Sequence, residues 1–234
     1  MPLLPRIGAA GAAVLAASPL LAGCGSLGKV GAGSHSPPAK AFTVTARVTS
    51  VVIDGGSGSV DVTGTSGSAV TVSQRAAYSS TPPATSHVLR GTTLTVSYTC
   101  PTELLCGVSY DVRVPADVAV SVSTSAGAVT LTSLAGAVSA RAAAGLVTAV
   151  DLRSGVASFK SDAGGVVATF STPPRSVTAA TNVGPITLTV PGSVAYQVDA
   201  HAVVGTSTVT VRRGGSGHSI SARSDLGSIS VSPS

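Results

Sequence analysis

Between positions 126 and 172 the chain repeats one short phrase five times: AGAVTLTSL, AGAVSARAA, AGLVTAVDL, SGVASFKSD and GGVVATFST. Its leading glycines, Gly127, Gly136, Gly145, Gly155 and Gly165, fall nine or ten residues apart. After a Pro-rich break, PPRSV, it returns as VGPITLTV, VGTSTVTV and LGSISVSPS. Each phrase is a Gly turn and then about five residues that alternate apolar with polar. Alternation of period two marks a strand with one buried and one solvated face. Turns at so regular a spacing restrict the fold to a sandwich, a barrel or a β-solenoid, and the steady period favours the solenoid. Val129 and Leu131, Val138 and Ala140, Ile186, Leu188 and Val190, and Val209 and Val211 are the expected inward positions.

Composition agrees. Hydrophobic residues make up 44% but aromatics only 3%, with no Trp, so the apolar content is mostly Val and Ala with Ile and Leu. A narrow core follows, and each buried Val contributes only about 1.5–3 kcal/mol, so stability has to accumulate over many rungs. The Ala-rich SARAAAGLV lies between two strand-like phrases and is read as strand. From Phe42 onward FTVTARV, SVVID, GSVDVTG, SAVTVSQ, TTLTVSY, VSYDVRV and VAVSVST alternate in the same way, while AAYSSTPPATSH reads as a loop. The expected class is all-β, a β-helix-like stack of short strands with Gly turns.

The first 41 residues are different. MPLLPRIGAAGAAVLAASPL has one charge, Arg6, and an uncharged apolar run from Ile7 to Leu21, too short for the roughly 20 residues of a spanning helix. This is the pattern of a secretory signal. LLAGCGSLG follows. Its G-x-G-x-x-G spacing is that of a dinucleotide loop, but such a loop needs a strand before it and a helix after it, and KVGAGSHSPPAKA starts no helix. Leu21, Ala22, Gly23 and Cys24 instead look like the lipobox of bacterial lipoproteins. That resemblance implies a signal peptide at 1–23, cleavage before Cys24 and a diacylglyceryl thioether on its sulfur. Two acyl chains suffice for stable anchoring. Residues 24–41 then form a flexible tether and 42–234 the β-repeat domain, held on the extracytoplasmic face of the cell membrane.

With Cys24 lipidated, Cys100 and Cys106 remain, and an even remainder in an exported chain points to one disulfide. Alternating segments flank a five-residue connection containing Pro101, which reads as a hairpin-like arrangement whose facing positions are within disulfide reach.

The order VVIDGGSGSVDVTG, GTTLTVSYTC, YDVRVPADVAVSVSTSAGAVTLTSLAGAVSARAAAG and AGGVVATFSTPPRSVTAATNVGPITLTVPGSVAYQVDA resembles the adhesin-like family of unknown function DUF4097. The resemblance spans about residues 42–232. It rests on Val114–Pro115, the break from Phe170 to Pro174, and the segment from Val190 to Tyr196. It implies a right-handed or irregular β-helix-like fold at a cell surface and carries over no catalytic residue. The Asp frequent in the family's turns is replaced here by Ala128, Ala137, Leu146, Val156 and Val166, although Asp54 and Asp61 remain near the first turn.

Chemistry-bearing patterns are sparse. His35, His87, His201 and His218 have no second ligand at i+2 or i+4, so no metal site or cofactor is expected. GGSGH at 214–218 misses the nucleophile elbow by one residue. A net charge of +5 is carried by scattered Arg, with only Arg212 and Arg213 adjacent, which does not suit nucleic acid. It allows a mild attraction to anionic lipid or wall polymer. Asn182 is the only Asn, too little for an internal isopeptide bond. Asp151, Asp162 and Lys160 are the best acid cluster for a glycan-processing β-helix. The expected role is non-catalytic: surface display, adhesion or contact with a cell-wall polymer or other envelope component. The alternatives are that enzyme or an accessory to envelope-stress signalling.

Overall fold

The computed structural model describes residues 34–101, 105–215 and 217–234, all in the unit Gly33–Ser234. The signal segment and Cys24 lie outside the described residues. Within the described residues the chain forms strands and no helix. The first seven are β1 (Lys40–Val44), β2 (Ser50–Ser57), β3 (Val60–Thr65), β4 (Val70–Tyr78), β5 (Ala84–Arg90), β6 (Thr93–Thr99) and β7 (Cys106–Pro115). The repeat region gives β8 (Ala119–Ala126), β9 (Val129–Thr132), β10 (Val138–Ala144), β11 (Val147–Leu152), β12 (Val156–Ala163), β13 (Val166–Phe170), β14 (Ser176–Val183) and β15 (Ile186–Val190). The last four are β16 (Gln197–Val204), β17 (Ser207–Val209), β18 (Ser219–Leu226) and β19 (Ile229–Pro233).

Two sheets face each other. Sheet 1 runs β1-β4-β7-β3-β9-β11-β13-β15-β19-β17, and sheet 2 runs β16-β18-β14-β12-β10-β8-β2-β6-β5. Pairing along the stack is parallel, and only β1–β4, β4–β7 and β5–β6 are antiparallel. Each coil is one strand of sheet 2, a Gly turn and one strand of sheet 1. The nine- or ten-residue phrase is therefore half a coil; the five phrases of residues 126–172 alternate between sheets, and the three later ones all fall on sheet 1. The coil order departs from chain order twice. β2–β3 lies inside β6–β7, and β18–β19 lies between β14–β15 and β16–β17.

The expected inward residues are inward. Val129, Leu131, Ala140, Ile186, Leu188 and Val190 are fully buried, Val138 and Val211 nearly so, and Val209 half-buried against the core. SARAAAGLV is strand, as read.

The turn from sheet 2 to sheet 1 explains the glycines. Gly58, Gly127, Gly145, Gly164, Gly184, Gly227 and Gly205 all have φ between 138° and 154° and stack coil upon coil. A methyl group added at Gly145 would lie 2.1 Å from the Gly127 carbonyl oxygen, and one at Gly227 would lie 2.0 Å from that of Gly184. Only glycine permits both this backbone and this approach. Gly136 and Gly155 belong to the opposite turn, and Gly164, not Gly165, holds the ladder position. Beneath the ladder, buried hydroxyls donate to glycine carbonyls of the neighbouring coil: Ser161 to Gly145 (2.8 Å), Thr181 to Gly164 (2.8 Å) and Ser224 to Gly184 (3.0 Å).

Three local expectations change. Cys100 and Cys106 are disulfide-bonded with Cα atoms 5.9 Å apart, but they do not close a hairpin. β6 belongs to sheet 2 and β7 to sheet 1, so the bond staples a coil turn at the end of the glycine ladder. The loop read over AAYSSTPPATSH narrows to residues 79–83, because pairing with β6 draws residues 84–87 into β5. In the stretch read as tether, His35 already bridges Tyr78 (His35 N to Tyr78 O, 2.8 Å) and Lys40 opens β1. Phe42 of β1 stacks on His87 of β5 at 4.0 Å, which closes this end of the stack across both sheets.

Candidate functional site

Parallel, in-register stacking converts a sequence alternation into a surface lattice. On sheet 1 the outward positions align in files. The first runs Asp61, Thr130, Thr148, Val167, Thr187, Ser230, Thr208. The second contains Thr63, Thr132 and Val150 and, beyond a bulge in β11, Thr169, Thr189 and Ser232. Neighbours stand about 4.8 Å apart across strands and about 6.6 Å apart along them. β9, β13, β15, β17 and β19 contain no charged residue. The outcome is a shallow face of half-exposed hydroxyl and methyl groups, uncharged from β9 onward apart from Asp151, which Asp61 and Asp111 border at one end.

Sheet 2 presents a different outer face. Asp54, Ser123, Arg141, Lys160, Ala180, Arg223 and His201 share one file. Cations scattered in sequence thus become neighbours, which sequence reading missed, because seeing it requires the coil register. Carboxylates interrupt the file: Lys160 Nζ lies 3.1 Å from Asp162 and Arg223 lies 3.2 Å from Asp199. All four groups are well exposed, and such pairs contribute at most about 1 kcal/mol.

The acid cluster does not assemble. Asp151 is in β11 on sheet 1, whereas Lys160 and Asp162 are in β12 on sheet 2. Asp151 instead forms the bulge. Its φ is 54°, that of Ser133 one coil away is 55°, and the Ser133 hydroxyl donates to its carboxylate at 2.9 Å. Hydrogen bonds from Ser171 and Ser133 hold this carboxyl below its ordinary value. The left-handed kink lets Leu134 and Leu152 turn fully inward.

Among the histidines, His35 and His87 stack on Tyr78 and Phe42, and His218 packs edge-on to Tyr196 and contacts the Pro174 carbonyl at 2.7 Å. No group of three or more His, Cys, Asp or Glu is placed to hold a metal among the described residues. Burial raises the phenols of Tyr110 and Tyr196; for Tyr110 the nearby Tyr98 and Asp54 add to it. An open cleft of about 440 Å³ between strand connections holds Arg47 and Asp117 beside Thr45, Thr49 and Ser68. It lies off the hydroxyl face.

No family model matches the chain, and no curated protein does. Solved structures do show likeness. One is a candidate cell adhesion protein from Clostridium sporogenes, at a TM-score of 0.48 and 13% identity, covering 85% of this chain and 100% of that one. Another is a candidate adhesin from Bacteroides fragilis, at 0.39 and 13%, covering 84% and 97%. A third is a candidate adhesin from Parabacteroides merdae, at 0.33 and 9%, covering 84% and 96%. No residue role is transferred across identities this low.

Proposed function

We propose that this chain is a non-catalytic cell-envelope scaffold, anchored through a lipid on Cys24, whose hydroxyl face on sheet 1 binds a repetitive, hydroxyl-rich polymer of the envelope. The observation that carries the reading is the register-matched Thr/Ser/Val lattice. A shallow, almost uncharged lattice offers many weak polar and methyl contacts and no enclosed pocket. A single sugar gains little from it, but a chain that repeats along the stack gains by multivalency.

The test is co-sedimentation of the full chain with insoluble wall polysaccharide. Thr130→Glu combined with Thr187→Glu places charge in the first file without touching the core. Binding is expected to fall at least tenfold, while Arg141→Glu on the opposite face leaves it unchanged. Equal binding by all three would sink the reading. Mass spectrometry of the membrane fraction checks the anchor: a diacylglyceryl group on Cys24 is expected, and Cys24→Ser is expected to leave that fraction.

A further inference from the structure

The two ends of the stack are finished differently. At one end β1, β4 and β5 turn antiparallel and the Phe42–His87 stack joins the sheets. At the other end β16 and β17 are simply the last strands of their sheets. Repeat stacks need a polar cap at each end, and an uncovered strand edge is a template for pairing. Here Val198, Ala200, Ala202 and Val209 are only half-buried against the core, and Val203 and Val204 are exposed.

The backbone of β16 shows which groups have no partner among the described residues. Gln197 N donates to His218 O on the β18 side, whereas Tyr196 N donates to Arg212 O on the other side. Residues 198, 200 and 202 therefore aim their N–H and C=O groups at the open edge, whereas the Val204 carbonyl accepts from Gly227 N on the β18 side. Residues 212–214 pair with Tyr196, and the open edge begins at Val198, followed by Ala200 and Ala202.

We infer that this edge pairs with the same edge of a second copy, antiparallel about a two-fold axis at Ala200. In that register Ala200 faces Ala200, Val198 faces Ala202, and all of these are hydrogen-bonding positions. Asp199 then lies opposite His201 of the other copy, twice, at the non-hydrogen-bonded sites where side chains are closest. Asp199 and His201 are both exposed on the outer face. Shifting the register by two residues either way sets His201 opposite His201 or Asp199 opposite Asp199. Side-chain pairing thus favours one register among those the backbone allows: only there does each Asp199 carboxylate face an imidazole that can donate to it, with no carboxylate facing its own copy. Arg223, from the adjacent β18, already contacts Asp199 and is the register neighbour of His201, so on pairing the carboxylate lies between the Arg223 guanidinium and the imidazole of the other copy. The two-fold continues sheet 2 and brings the two apolar ends of the core together, an isologous contact.

The experiment uses the full chain in a Cys24→Ser background, in mild detergent, by sedimentation. A dimer is expected. His201→Asp sets carboxylate against carboxylate at two places and is expected to weaken it at least tenfold. Asp199→His with His201→Asp reverses both partners and is expected to restore it. Separately, chains carrying Asp199→Cys and chains carrying His201→Cys are expected to cross-link when mixed, and much less alone. A monomeric wild type, a dimer indifferent to His201→Asp, or failure of the double exchange to restore association in a chain that keeps its strand spectrum would overturn the inference.

Discussion

Tyr110 is almost fully buried and its hydroxyl has no hydrogen-bond partner among the described residues. A buried unpaired hydroxyl costs about 1–3 kcal/mol. Tyr110→Phe is therefore expected to stabilise the fold by about 1 kcal/mol in denaturant unfolding. The sign with pH is also set. The folded phenol is raised above its ordinary value of 10.0, so above about pH 10 the unfolded chain loses a proton that the folded one keeps, and stability falls. Tyr110→Phe should remove that part of the alkaline decline. Gly145 sits at the opposite extreme, with φ at 152° and no room for a methyl group. Gly145→Ala is expected to cost at least about 3 kcal/mol, in the range of strain and overpacking combined, measured as a lowered thermal midpoint. The importance of Gly145 was legible in the sequence because glycine recurred in phase with the strands. The isolation of Tyr110 was not, because a phenol's partner depends on which coil lies above it.

At the scale of the strand, alternation told which side faces in, and for β9, β10 and β15 it was right residue by residue. It could not tell which sheet a strand joins. The hairpin expected around Cys100 and Cys106 fails for that reason: two alternating segments separated by a short connection look alike whether they pair with each other or with other coils. The same blindness left Asp151 and Asp162 as the best available acid cluster, although they stand on opposite sheets. The buried hydroxyls show a finer limit. Thr181 reads as an ordinary polar residue in an alternating strand, yet it points inward and satisfies the Gly164 carbonyl. Thr181→Val keeps its shape and removes the donor. A loss of about 1–3 kcal/mol is expected in equilibrium unfolding, concentrated in hydrogen-exchange protection of the neighbouring Gly turns.

For the whole molecule, energy is spread along the stack rather than held in one nucleus, as expected when each coil touches only its neighbours. The candidate site has the same character. No residue of the hydroxyl face is special by itself, and none stood out in the sequence as a motif would. Its content is the register, which only assembly supplies. Coil order adds an asymmetry. β16–β17 rests on β18–β19, not on β15, although it comes earlier in the chain. Deleting residues 219–233 should therefore release residues 197–209 as well, seen as joint loss of amide protection over both segments while β8 to β13 stay protected.

That inverted order governs when the fold can finish. A chain delivered from its beginning can lay down β14–β15, but β16–β17 then has nowhere to settle and must wait, unseated, until residues 219–233 arrive and slide in beneath it. Completion is thus timed by the arrival of residues 219–233, and that end of the stack stays open for as long as they are withheld.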